Sequence, residues 1–370
     1  MKLGEVFDPR RNALNAFRLA LAIEVIVFHS YLIPGRTVSS EAVLQLLLCV
    51  GVDGFFAISG FLIASSWLRD PRLRDYLVAR ALRILPGLYV CLLLIAFVFA
   101  PVSVAIQGGS PAKLLLSSAP FEYVLKNATL VSIFQRGVDG TPHGVPEPGI
   151  WDGALWSLIW EVMCYLAVAV LGIVGLASRR WISPAVFVLA LVGSTLVAPL
   201  AFPGEWSIPQ LIARSAITFS AGAIMYQWKD LIPARWCLVA VSVLIVLVSS
   251  LLPNYRVAAA IPLAYAIVVS GSLIHNRRLS LRTDLSYGMY IYSYPAQQML
   301  AVCGLAGLNT LAFFVLGVIT TLPLAALSWF LVEKPALLCK SHLKHKWATD
   351  DRDVAIRVAG QPVSKVPGSG

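Results

Sequence analysis

The sequence predicts an all-α, polytopic transmembrane helical bundle of about ten spans with both termini in the cytoplasm. Three observations predict it. The chain is 58% hydrophobic and only 13% charged, with a mean hydropathy of +0.78. A soluble domain carries about twice that charged fraction, so lipid must be the solvent for much of the chain. Ten apolar stretches are long enough to cross a hydrocarbon core of about 30 Å at about 1.5 Å per residue. The Lys and Arg residues alternate between the connecting segments as the positive-inside rule requires.

The ten stretches lie near 13–33, 43–68, 84–106, 153–177, 182–201, 208–228, 236–252, 255–274, 286–304 and 310–332. The first is interrupted by Arg18 and Glu24 and is followed by no small-residue cleavage site, so it is expected to stay as an anchor. With the N-terminus inside, 22 of the 29 basic residues fall in inner segments. Only Arg36, Lys113, Lys126, Arg136 and Arg256 fall in outer loops, while Arg18 and Arg214 lie within spans. A missed or added helix would scramble that pattern. The net charge of +10 is then an insertion signal and a match for anionic membrane lipids. Nucleic acid is not an expected partner, because the basic residues are scattered over short loops.

The transmembrane domain is expected over 1–340, with a polar, disordered cytoplasmic tail over 341–370. The outer loop from Gln107 to Asp152 is rich in Gly and Pro and reads as a partly ordered cover over an outward cavity. The six cysteines form no C-x-x-C, disulfide framework or metal pattern, so no metal site is expected.

Ionisable residues inside the spans carry the chemistry, because such groups are costly in lipid and face a bundle interior or a wet cavity. Arg18 and His29 are eleven residues apart, which is roughly 20° around a helix and a rise of about 16 Å. Both lie on one face, Arg18 toward the inside and His29 toward the outside. Glu24, about 120° around from Arg18, points elsewhere and has no expected catalytic role. Asp53 sits halfway along the second span within Gly51-Val52-Asp53-Gly54, where the glycines permit close helix packing. Glu161 lies about two turns into the fourth span, so His29, Asp53 and Glu161 are the candidate acid/base cluster. Arg80 and Arg83 share a helix face ahead of the third span, and two guanidinium forks suit phosphate oxygens. Arg214 is either a counter-charge or an interfacial residue.

In their order along the chain these residues resemble the motifs of the acyltransferase-3 family of integral membrane acyltransferases. Arg18 and His29 match its R-x10-H, Gly51 to Phe61 its G-V-x-x-F-F…S-G-F, and Arg80 and Arg83 its R-x-x-R. Trp156-Ser157-Leu158…Glu161 matches W-S-L-x-x-E, and Glu333-Lys334-Pro335 the closing E-K-P. The resemblance covers roughly residues 10 to 340. Cys164 replaces an aromatic of the family pattern, and Ser293 stands where many members have histidine.

The resemblance implies an O-acyltransferase of a bacterial cytoplasmic (inner) membrane, with acyl-CoA, by default acetyl-CoA, as donor and a carbohydrate or glycolipid as acceptor. Arg18, Arg80 and Arg83 would hold the donor phosphates. His29 would act either as general base, with Asp53 or Glu161 orienting it or binding acceptor hydroxyls, or as acyl carrier. The competing class is a transporter or flippase for a lipid-linked or small organic substrate. Against it, no internal repeat is visible and the polar motifs cluster in the first half.

Overall fold

A computed structural model describes residues 1–130, 135–199, 204, 206–276, 278–281 and 283–339. The expected disordered tail over 341–370 lies outside the described residues. Every element among them is helical, with no strand. Ten long helices stand where the ten apolar stretches were read: α1 (Leu14–Leu32), α2 (Glu41–Arg69), α3 (Leu73–Ile106), α4 (Trp156–Ile173), α5 (Ile182–Leu196), α6 (Ile208–Gln227), α7 (Trp236–Ser249), α8 (Arg256–Leu273), α9 (Ser286–Val302) and α10 (Thr310–Cys339). Six of them, α1, α2, α3, α4, α8 and α10, are long and apolar enough to cross a membrane by length and composition.

The remaining four differ for physical reasons. α5 and α7 are apolar but only 15 and 14 residues long. α7 turns Leu244, Leu247 and Val248 outward, as a lipid-facing helix does. α9 is buried on nearly every face, including Ser286, Ser293, Gln297 and Gln298. A helix surrounded by protein rather than lipid has no need of an apolar surface, so α9 is the polar centre of the bundle. α6 is likewise enclosed, with Arg214, Ser215, Thr218 and Ser220 buried.

α3 begins eleven residues before the apolar stretch read from the sequence. Asp75 in its first turn complements the helix dipole and pairs with Arg72 at 2.7 Å. This early start makes Arg80 and Arg83 part of one continuous 34-residue helix, through a π turn over Ile95–Phe99. A second π turn, Trp329–Glu333, carries Glu333 into the interior, where it is buried. Such turns insert a residue into the helical ladder and rotate the rest of the helix about its axis.

The closest crossing joins α2 and α6. A Cβ on Gly60 would stand 1.9 Å from the Phe219 carbonyl oxygen, and one on Gly222 1.9 Å from that of Ala57. Only glycine at both positions lets the two backbones touch. Elsewhere Arg36 ties the end of α1 to the start of α10, donating to Thr310 Oγ1 at 3.0 Å and to the Ala306 carbonyl at 2.8 Å. The loop between α3 and α4 holds two short helices, Pro111–Leu115 and Ala119–Ala128, so it is partly ordered as expected.

Candidate active site

His29 and Arg18 open onto two cavities that meet inside the bundle. The larger, of about 660 Å3, is lined by His29 together with Val52, Asp152, Trp156, Trp160 and Tyr290, among others. The smaller, of about 40 Å3, is lined by Arg18, Phe55, Ser157, Glu161, Val52 and Tyr290 among others. Val52 and Tyr290 line both, so they form the partition between them. Tyr290 is fixed there by hydrogen bonding to the Ala154 carbonyl at 3.0 Å and pairing with Ser157 Oγ at 2.7 Å, while Phe55 meets its ring edge-on.

In the larger cavity the His29 side chain is 5% exposed and its Nδ1 has no partner within the protein. The Tyr294 ring lies edge-on to the imidazole, with centroids 4.9 Å apart. Tyr294 in turn packs directly on Gly153, where a Cβ would stand 2.6 Å from its Cε2. That contact brings the neighbouring Asp152 to the same cavity wall. Asp152 Oδ1 accepts from the Ala154 N–H at 2.9 Å, and Oδ2 is buried without a partner. Burial pushes the Asp152 carboxyl well above the usual carboxylate range, against the pull of the Ala154 and Leu155 N–H groups. Glu147 and Arg136 line the same cavity. Burial raises the Glu147 carboxyl too, and Arg136 opposes the rise.

Around the smaller cavity Glu161 Oε1 accepts from Ser59 Oγ at 2.8 Å and from the Tyr165 hydroxyl. Arg80 lies 5.8 Å from the Tyr165 ring and the same distance from that of Tyr76, and its Nε is buried without a partner. Arg18 and Arg83 converge on one carboxylate oxygen, Asp284 Oδ2, at 2.9 and 2.5 Å. The other oxygen of Asp284 accepts from Ser286 Oγ at 2.5 Å. Burial alone would raise the Asp284 carboxyl, but Arg18 and Arg83 outweigh it and hold the group below the usual carboxylate range. Three arginines therefore gather at this end of the bundle, held by one carboxylate and two tyrosine rings.

The three expected acid/base residues do not share a cavity. His29 lines the larger, Glu161 the smaller, and Asp53 neither. Asp53 is wholly buried and accepts from Arg214 Nε at 2.9 Å, Arg256 Nε at 2.6 Å and the Tyr255 hydroxyl at 2.6 Å. These bonds tie α2, α6 and α8 together. Arg214 is thus a counter-charge, and its guanidinium also stacks on Trp156 and Trp206 of the larger cavity. Arg256, read as an outer-loop cation, is instead buried at the first turn of α8. A cation at a helix N-terminus is unfavourable, and Asp53 offsets it.

Sequence reasoning missed Asp152, Glu147 and Asp284. All three lie in connecting segments, where no helical periodicity marks a face. Among the described residues no group of three metal-ligating side chains converges.

Comparison with known proteins gives a consistent result. The acyltransferase-3 family, described as an acyltransferase domain, matches residues 11–330. An O-acetyl transferase of Shigella phage Sf6 is 27% identical over 344 residues, covering 88% of this chain and 96% of the relative. Nodulation protein 10 of Rhizobium leguminosarum bv. viciae is 26% identical over 368 residues, covering 92% and 97%. No solved structure matches. The chain belongs to the acyltransferase-3 family and is an acyltransferase.

Proposed function

We propose that this chain is a ten-span O-acyltransferase of a bacterial inner membrane, with both termini cytoplasmic. It moves an acyl group, by default acetyl, from cytoplasmic acyl-CoA to a hydroxyl of a carbohydrate or glycolipid. The observation that carries the reading is the pair of cavities abutting at Val52 and Tyr290, with arginines beyond one and His29 within the other. The phage relative's name, O-acetyl transferase, supports the reaction class and the acetyl group.

Arg18, Arg83 and Arg80 hold the donor phosphates, since guanidinium forks match phosphate oxygens and the Arg80 Nε lacks a partner. The flexible thiol arm of the donor reaches past Val52 and Tyr290 toward His29. The His29 imidazole takes the proton of the acceptor hydroxyl as its oxygen adds to the thioester carbonyl. The C–S bond then breaks, and the thiolate of CoA leaves with that proton. In the other arrangement, His29 takes the acyl group first and passes it to the hydroxyl. Glu161 braces the inner cavity through Ser59 and Tyr165, and Asp53 acts as the keystone of the Arg214–Arg256 cluster. Enclosure limits hydrolysis of the thioester.

The test gives purified protein radiolabelled acetyl-CoA and a glycan extract. Wild type is expected to transfer label, whereas His29→Ala loses at least about 100-fold, the usual range for a lost acid/base group. Arg83→Ala is expected to raise the acetyl-CoA KM. Full label transfer by a folded His29→Ala protein would exclude the mechanism.

A further inference from the structure

The segment between α3 and α4 carries apolar side chains that neither the cavities nor the core use. Leu116 is 89% exposed, Phe121 57% and Leu125 71%. The last two belong to the helix Ala119–Ala128, whose residues sort into three sectors rather than two. At about 100° per residue, Pro120, Tyr123 and Asn127 share one sector, and all three are buried. Phe121 and Leu125 share a second. Glu122 and Lys126 share a third, exposed and joined by an ion pair of 3.1 Å. The sectors stand roughly a third of a turn apart. A helix between protein and water needs only two faces, so a third that is apolar and uncovered marks a third medium.

The position of the helix says which medium. It packs on α3 beside the π turn, where the Phe121 and Phe97 rings meet edge-on with centroids 5.2 Å apart. Phe97 lies nine residues before Ile106, which is about 13 Å along α3. The chain therefore leaves α3 at Ile106 and folds back down its side. Leu93, one turn before Phe97, and Val98, next to it, are exposed as the lipid-facing residues of a spanning helix are. Phe121 and Leu125 continue that surface.

We infer that Ala119–Ala128 is an interfacial helix in the leaflet at the Ile106 end of α3, with Leu116, Phe121 and Leu125 among the acyl chains and Glu122 and Lys126 at the headgroups. The occupant of the apolar sector is lipid rather than a second protein. The sector is continuous with the exposed apolar surface of α3 and is bounded on its far side by a charged pair, as at the edge of a bilayer. The inference rests on the bundle being embedded in a membrane and not on acyl transfer. It bears on the site all the same. Asn127 Nδ2 donates to the Gln135 carbonyl at 2.9 Å, and the Arg136 carbonyl accepts from the Trp151 N–H at 2.9 Å. Arg136 lines the larger cavity, so the helix that lipid holds also holds the rim of that cavity.

The experiment places a nitroxide at single sites of the full-length protein in phosphatidylcholine nanodiscs, after Cys164→Ser, Cys237→Ser, Cys303→Ser and Cys339→Ser remove the accessible thiols. Collision with oxygen, which concentrates among acyl chains, is compared with collision with a water-soluble nickel chelate. Leu93→Cys reports the lipid face of α3. Phe121→Cys and Leu125→Cys are expected to favour oxygen as Leu93→Cys does, and Glu122→Cys and Lys126→Cys to favour the chelate. Chelate-favoured collision at Phe121→Cys and Leu125→Cys would put the helix in water, and shielding from both reagents would put a second protein on it. Either result overturns the interfacial helix. The membrane reading falls with it only if Leu93→Cys favours the chelate as well. Leu125→Glu tests the hold on the cavity. Hydrogen exchange at the Trp151 N–H is expected to quicken at least about tenfold, the scale of one apolar side chain taken out of lipid. Lys126→Gln, in the charged sector, is expected to exchange as wild type does. Wild-type exchange in Leu125→Glu would overturn the link between the anchor and the rim.

Discussion

At the scale of single residues, two aspartates show how the same side chain serves different ends. Asp53 holds two buried guanidiniums, so Asp53→Ala leaves both without a counter-charge. Breaking a buried pair in this way costs about 3–5 kcal/mol, and thermal unfolding in detergent should show a large loss of stability. Asp284 holds Arg18 and Arg83 together, at the end of the bundle where we propose the donor enters. Asp284→Asn is expected to raise the acyl-CoA KM, because the two guanidiniums repel one another once the carboxylate is neutralised. Because the folded-state pKa of Asp284 is depressed, its stabilisation is fully present above the unfolded value of about 3.9 and is lost as pH falls through the folded value. Stability measured against pH should therefore fall in acid for wild type and more shallowly for Asp284→Asn. The sequence made Asp53 visible because an aspartate in mid-span stands out against lipid. It hid Asp53's role, since Arg214 and Arg256 lie 161 and 203 residues away in the chain. Asp284 was missed for the same reason, with partners 266 and 201 residues distant.

At the scale of helices, periodicity was the dependable guide. Arg18 and His29 were placed on one face by their spacing alone, and in the structure they line adjoining cavities. The glycines of α2 were read as packing residues, and Gly60 indeed meets α6 at backbone distance. Gly222→Val is expected to force the two helices apart, costing at least the 1–3 kcal/mol of an overpacked core. A fall in the folded fraction on size-exclusion chromatography would check it, and a wild-type profile would contradict the close crossing. α9 shows where periodicity ran out. A helix buried all round has no lipid-facing stripe, so its tyrosines, serines and glutamines gave no sign that it forms the partition between the cavities. The π turn at Trp329–Glu333 left no trace in the sequence either, although it carries Glu333 inward to bond Ser328 at 2.8 Å.

For the whole molecule, composition and the long apolar stretches made the all-helical, membrane-type class legible, because lipid imposes one solvent on every span. The candidate site was legible only where it sits on helices. Its loop-borne half, Glu147 and Asp152, depends on how the segment between α3 and α4 folds back over the bundle, which local chemistry does not encode. The mechanism we propose has a donor entering at the arginines and an acyl group delivered to His29. A structure with a thioether analogue of acetyl-CoA, which cannot be cleaved, tests that directly. It should show phosphates bound by Arg18, Arg80 and Arg83, the arm displacing the Val52–Tyr290 partition, and the acyl carbon beside the imidazole. An analogue seated outside the bundle, or an acyl group held away from His29 behind an unmoved Tyr290, would contradict this mechanism.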